Sequence, residues 1–143
     1  LACIVLKSDL IHWLNAGDSR FYILRNDQLL QITHDHTLAR VLVEAGRLKQ
    51  EDADEHYSSK ILDQCLGYNM CDPETGSVRV KKNDLIILAT DGLYKMVKEK
   101  TILQILLSNT TLKEKMEILV NSALKSGGED NLTIVLAHIK QTL

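Results

Sequence analysis

Two hydrophobic periods succeed one another along the chain. Residues 2–7 are an apolar run, Lys7, Ser8 and Asp9 form a turn, and 10–16 (LIHWLNA) resume an apolar run, the pattern of a β-hairpin. "GDSR" at 17–20 is a second turn, 21–25 (FYILR) a strand, Asn26-Asp27 a turn, and 28–32 a further strand. The first third therefore predicts an antiparallel meander.

Beyond this point the period lengthens to that of a helix. Thr37 is placed to cap a helix over 38–45, with Leu38, Val41, Leu42 and Ala45 on one face and Gly46 just past its end. Residues 47–59 are polar, with Glu51, Asp52, Asp54 and Glu55 close together. Their composition fits a lid over a site and a solvated connector equally well. Residues 76–80 and 85–89 predict another strand pair joined by Lys81, Lys82, Asn83 and Asp84. "LIILA" at 85–89 is apolar on both faces, as a central strand covered on both sides would be. "TDGLYKMV" ends it. Helices are predicted at 99–107 and 111–125, the second with Leu112, Met116, Leu119, Val120, Ala123 and Leu124 on one face and Gly127-Gly128 as its stop. A last strand covers 132–138. The class is α+β, with a mostly antiparallel sheet and packed helices.

Composition narrows the function classes. The 143 residues suit one domain, and 45% hydrophobic with 25% charged residues give a core of ordinary size. Lys plus Arg number 17 against 19 for Asp plus Glu, a balance that argues against nucleic-acid or anionic-membrane binding. No apolar run approaches the ~20 residues that span a bilayer. The three cysteines, Cys3, Cys65 and Cys71, form neither a disulfide framework nor a zinc spacing; mostly buried, inert thiols in a reducing, cytoplasmic setting are expected. The chain opens as "LACIVLKSD", already within a strand, which points to a fragment of a longer protein.

Three acids sit at strand ends. Asp18 follows 10–16, Asp91 follows 85–89, and Asp130 precedes 132–138 inside "GGEDNLTIVLAHI". Each has an ordinary alternative: Asp18 and Asp130 as turn residues, Asp91 as the cap of a short helix. If the first two strands run one way and the last the other, all three carboxylates reach one edge. Converging carboxylates repel unless a cation neutralises them. Oxygen donors without neighbouring His or Cys favour Mg²⁺ or Mn²⁺ over Zn²⁺. A pair of such ions about 4 Å apart can activate water and clamp a phosphoryl oxygen.

"NAGDSRFYILRNDQLLQITHDHTLARVLVEAG", "LIILATDGLYKMV" and "GGEDNLTIVLA", in that order, resemble motifs of the metal-dependent type 2C (PPM) protein serine/threonine phosphatases, particularly the bacterial members. The resemblance covers essentially the whole chain. It implies an antiparallel β-sandwich flanked by helices, with a two-metal centre at one end. It matches Asp91 and Asp130 to the two acids that ligate one ion of the pair. It matches Asp18 to an acid that, with the one at Asp91, holds a third, weaker ion. Residues 38–58 match a flap beside the site. The implied reaction is hydrolysis of phosphoserine or phosphothreonine by attack of metal-bound water, with no phospho-enzyme. The implied partners are phosphorylated proteins and a serine/threonine kinase.

The chain departs from the family pattern after the flap, where Tyr57 and Ser59 stand at positions more usually Pro and basic. It also has no "DGxGG"-like motif, which in the family carries the acid bridging both metals. The resemblance thus implies that 1–143 is the C-terminal part of one catalytic domain, lacking the N-terminal part and without useful turnover alone. A non-catalytic module on the same fold is the alternative, and three retained ligand acids argue against it.

Other residues complete the expectations. His34 and His36 would share a strand face, at the junction with the flap and not at the metals. Arg20 is expected to order the acid at its own turn. Asn131 either orients Asp130 from behind or makes an Asx turn. Trp13 is expected in the core.

Overall fold

The computed structural model describes residues 1–67 and 71–141. Along the chain it forms β1 (Ala2–Lys7), β2 (Leu10–Asn15), β3 (Arg20–Arg25), β4 (Gln28–Gln31), α1 (Leu38–Glu44), β5 (Glu74–Arg79), β6 (Leu85–Ala89), α2 (Asp91–Tyr94), α3 (Glu99–Leu107), α4 (Leu112–Lys125) and β7 (Ile134–His138). Two 3-10 turns, Gln50–Asp52 and Tyr57–Lys60, occupy the polar stretch after α1.

The strands form two antiparallel sheets, ordered β1-β2-β5 and β4-β3-β6-β7. Alternation along β6 shows why its apolar run has no polar side. Leu85, Ile87 and Ala89 pack with Tyr22, Leu93, Val97, Ile102, Leu106, Leu119 and Ala123, so this face meets the helices. Ile86 packs with Ile11, Phe21, Ile23 and Val80, and Leu88, Trp13 and Val78 close around them, so the other face meets the first sheet. A strand covered on both faces needs apolar residues at every position.

Two strand pairings differ from the sequence expectation. The first four strands are not one meander: β2 does not pair with β3, because the chain crosses from one sheet to the other over residues 16–19. Buried Asn15 holds this crossover, its Nδ2 donating to the carbonyls of Gly17 and His34, both at 3.1 Å. Gly17 makes the bend at φ +110°, a region that favours glycine. Likewise β5 and β6 are not partners; β5 lies on β2 and β6 between β3 and β7. Here the anchor is buried Asp84, which accepts from Arg25 Nε (2.9 Å) and Nη2 (2.6 Å) and from the Lys81 amide (2.7 Å), fixing the start of β6 beside β3.

Helix ends follow the sequence signals. Thr37 caps α1 by accepting from the Arg40 amide, and Gly46 follows at φ +67°. Thr111 and Glu114 make a reciprocal capping box on α4. The buried stripe of α4 is narrower than expected: Leu119 and Ala123 are buried, while Leu112 and Leu124 are exposed, because only one side of the helix meets the sheet. The cysteine expectation also needs correcting, since Cys3 is exposed and Cys65 and Cys71 are only half-buried; Cys3 lies on the uncovered face of an edge strand. No described helix is long and apolar enough to cross a membrane.

Candidate metal centre

Strand register decides where the acids go. Arg20 lies opposite Ala89, and Ala89 opposite Ile134. The start of β3, the end of β6 and the start of β7 therefore form one row, and Asp18, Asp91 and Asp130 stand just beyond it. The short helix α2 begins directly at Asp91, with Thr90 extended before it.

Gly92 lets two of these segments touch. A Cβ at Gly92 would lie 2.6 Å from the Asn131 carbonyl oxygen and 3.4 Å from that of Asp130. Only a residue without a side chain allows the backbone after Asp91 to lie against the backbone at Asp130. Thr90 fastens the same junction: its amide donates to the Thr133 carbonyl (3.1 Å), its hydroxyl donates to the Asn131 carbonyl (3.2 Å) and accepts from the Thr133 amide (2.9 Å). These bonds occupy residues 131–133, which is why β7 begins at Ile134 and not at Leu132.

Asp18 and Asp91 meet on a lysine. Lys95 Nζ lies 2.6 Å from Asp91 Oδ2 and 3.4 Å from Asp18 Oδ2, and both carboxylates are about four-fifths buried, with 21% and 19% exposure. Burial works against the Lys95 charge, but the hydrogen bond and charge of Asp91, with the charge of Asp18, raise its pKa above the ordinary lysine value. Asp130 is exposed; its Oδ1 accepts from the Asn131 amide at 2.6 Å. The Asn131 contribution is thus made by its backbone. Among the described residues no group of three or more His, Cys, Asp or Glu side chains is placed to hold a metal ion. The structure brings Asp18 and Asp91 together and sets Asp130 beside Asp91 through the backbone, without drawing the three carboxylates into one cluster.

Arg20 does not order Asp18 directly. Its guanidinium grips Asp35, with Nε 2.8 Å from Oδ1 and Nη2 2.6 Å from Oδ2, and lies 3.5 Å over the Tyr94 ring. Tyr94 in turn donates its hydroxyl to the Asp18 carbonyl at 2.8 Å. Burial pushes the Tyr94 phenol well above its usual range and that of Tyr22, whose hydroxyl accepts from Arg20 Nη1 at 3.1 Å, up to about 12, so both stay protonated at neutral pH. Asp35 and Tyr94 carried no distinctive sequence signal; Lys95 did, since Asp91 and Lys95 are spaced i, i+4.

The flap region is rooted next to this network. Thr37 bridges Leu62, the Leu38 amide donates to Ile61 and the Asp63 amide to His36, so the excursion over 38–61 leaves and returns at one point, two residues from Asp35. His34 and His36 both face Glu74, at 2.6 and 3.9 Å, and His36 Nδ1 also accepts from the Gly17 amide at 3.4 Å. Burial would raise the Glu74 carboxyl, but hydrogen bonds from His34 hold it below the usual range.

Comparison with known proteins shows the family and the fold. The protein phosphatase 2C family description matches residues 1–132. The serine/threonine phosphatase stp of Listeria innocua is 38% identical over 139 residues, covering 96% of this chain and 55% of that protein. The structure of the Mycobacterium tuberculosis serine/threonine phosphatase PstP/Ppp superposes with a TM-score of 0.90 at 32% identity, over 96% of this chain and 58% of that one. A structure of the PstP catalytic domain in complex with 2 manganese ions gives a TM-score of 0.84 at 31% identity, over 96% and 57% of the two chains. The chain spans about half the length of the curated relatives it matches. A two-sheet sandwich with helices on the second sheet, and this degree of likeness along nearly the whole chain, place it in the protein phosphatase 2C family.

Proposed function

We propose that residues 1–143 are the C-terminal part of a metal-dependent phosphatase catalytic domain, and that the complete domain hydrolyses phosphoserine and phosphothreonine in proteins. The observation that carries this is the backbone contact at Gly92, which places Asp91 and Asp130 side by side at the sheet edge that also bears Asp18. The donor chemistry fits a hard divalent ion: the three acids offer oxygen alone, from rigid strand ends. Mg²⁺ or Mn²⁺ is the cofactor, and the manganese ions in the related PstP domain support the latter. Two ions serve the complete domain, or three where the Asp18–Asp91 pair takes one as well.

Each residue then has a task. Asp91 and Asp130, one on each chain segment joined at the Thr90–Thr133 junction, would hold one ion. Asp18 stands beyond Asp91, its loop fixed by the Tyr94 hydroxyl and, through the Tyr94 ring, by Arg20. Asn131 holds the Asp130 carboxylate through its amide. Ions bound at this edge supply charge neutralisation for phosphoryl oxygens and lower the pKa of water. The segment over 38–61, rooted beside Asp35, governs how a phosphoprotein approaches. A serine/threonine kinase that makes such substrates is the matching partner.

The remaining ligands come from the part of the domain outside this chain, so the segment alone binds metal weakly and turns over no useful amount of substrate. Phosphopeptide hydrolysis with Mn²⁺ tests this on the segment and on the intact parent. Activity in the parent alone is expected; robust hydrolysis by the segment would overturn the divided site. If calorimetric titration of the parent with Mn²⁺ shows no binding, a non-catalytic module replaces the enzyme reading.

A further inference from the structure

One charged group at the acid edge takes no part in the phosphatase reading: Lys95. It follows Asp91 by one helical turn, with the acid on the N-terminal side, the favourable order for such a pair. Its ammonium reaches past Asp91 to Asp18, which comes from a different part of the chain, 77 residues away. Two carboxylates that approach one point require a positive charge there. Here that charge is already present, covalently tethered and surrounded by groups that are only partly exposed to screening solvent.

We propose that the Lys95 ammonium is the resident cation of the Asp18–Asp91 pair, so that this pair takes no divalent ion of its own and Asp91 serves only the ion it shares with Asp130. The proposal rests on the phosphatase reading for the Asp91–Asp130 ion. A divalent ion entering between Asp18 and Asp91 would have to expel the ammonium, shed part of its own hydration shell and overcome the residual positive charge nearby. The tether makes the ammonium an intramolecular competitor, whose effective concentration does not fall when free metal is scarce. Asp91 bonds Lys95 through Oδ2, so its other carboxylate oxygen is not engaged by the ammonium. The consequence is a definite ion count: this protein carries one divalent ion fewer than a phosphatase whose third site is open.

The test counts Mn²⁺ per chain in the intact parent, by equilibrium dialysis with elemental analysis at saturating Mn²⁺. Lys95→Gln removes the charge at similar size and is expected to bind one more ion than the wild type. Lys95→Arg keeps a cation and is expected to retain the wild-type number. Adding Asp18→Asn to Lys95→Gln should return the count to the wild-type value, which ties the extra ion to this pair. An equal, non-zero count in wild type and Lys95→Gln overturns the proposal and leaves the phosphatase reading standing. No Mn²⁺ uptake by either protein overturns the phosphatase reading, and the proposal falls with it.

Discussion

The two ends of β6 carry aspartates of opposite character. At its start, Asp84 is buried with both oxygens engaged, taking two hydrogen bonds from the Arg25 guanidinium and one from the Lys81 amide. Just past its end, Asp91 is partly exposed and bonded through Oδ2 to the tip of a flexible lysine. The strand between them is the same rigid, doubly covered element. A buried carboxylate with both oxygens engaged by the protein holds the fold. One held at a rigid strand end with an oxygen to spare is available to a ligand.

Substitutions test this contrast directly in the intact parent. Asp84→Ala leaves the Arg25 charge without its partner and should cost about 3–5 kcal/mol in denaturant unfolding, the range for breaking a buried pair. Asp91→Asn should cost under about 1 kcal/mol by the same assay, because Lys95 is about a third exposed and water can take up the lost contact. Equal losses would erase the distinction between the two ends. Gly92→Ala comes next: a methyl 2.6 Å from the Asn131 carbonyl must push the Asp130 segment away. About 1–3 kcal/mol of stability should go. Mn²⁺-dependent hydrolysis should fall further than that loss explains, read as a raised Mn²⁺ requirement. Tyr94→Phe removes one hydrogen bond to the Asp18 loop while keeping the ring under Arg20; about 1 kcal/mol is expected from thermal melts.

The smallest effect is on the acid limb of stability. Burial favours the protonated Asp84, but Arg25 and the Lys81 amide outweigh it and hold the carboxyl below its ordinary range. A folded pKa below the unfolded value gives stability that is complete above about pH 4 and is lost as pH falls through the lowered value. Asp84→Asn should therefore flatten unfolding free energy against pH below about pH 4. An unchanged acid limb would mean that Asp84 is not the group responsible.

Much of this architecture was legible in periodicity. Seven strands and the three longer helices appear where the apolar spacing puts them, since that spacing reports which face is buried. Strand partnership was not legible. Local pattern marks 10–16 and 21–25 as strands but says nothing of the crossover between them, which depends on Asn15 reaching the His34 carbonyl 19 residues away. The separation of β5 from β6 depends on Arg25 reaching Asp84 across 59 residues. At the site, the acids stood out by their place at strand ends. Their supports did not: Asp35 and Tyr94 acquire a role only when the fold stacks them on Arg20. Lys95 was within reach, because a one-turn spacing from an acid is a local feature.

The most direct test of the central claim is calorimetric titration of the intact parent with Mn²⁺, comparing wild type with Asp91→Asn and Asp130→Asn. If these two residues share an ion at the edge of the second sheet, the wild type takes up Mn²⁺ and each variant loses the same binding event while remaining folded. Unchanged uptake in both variants would contradict the assignment.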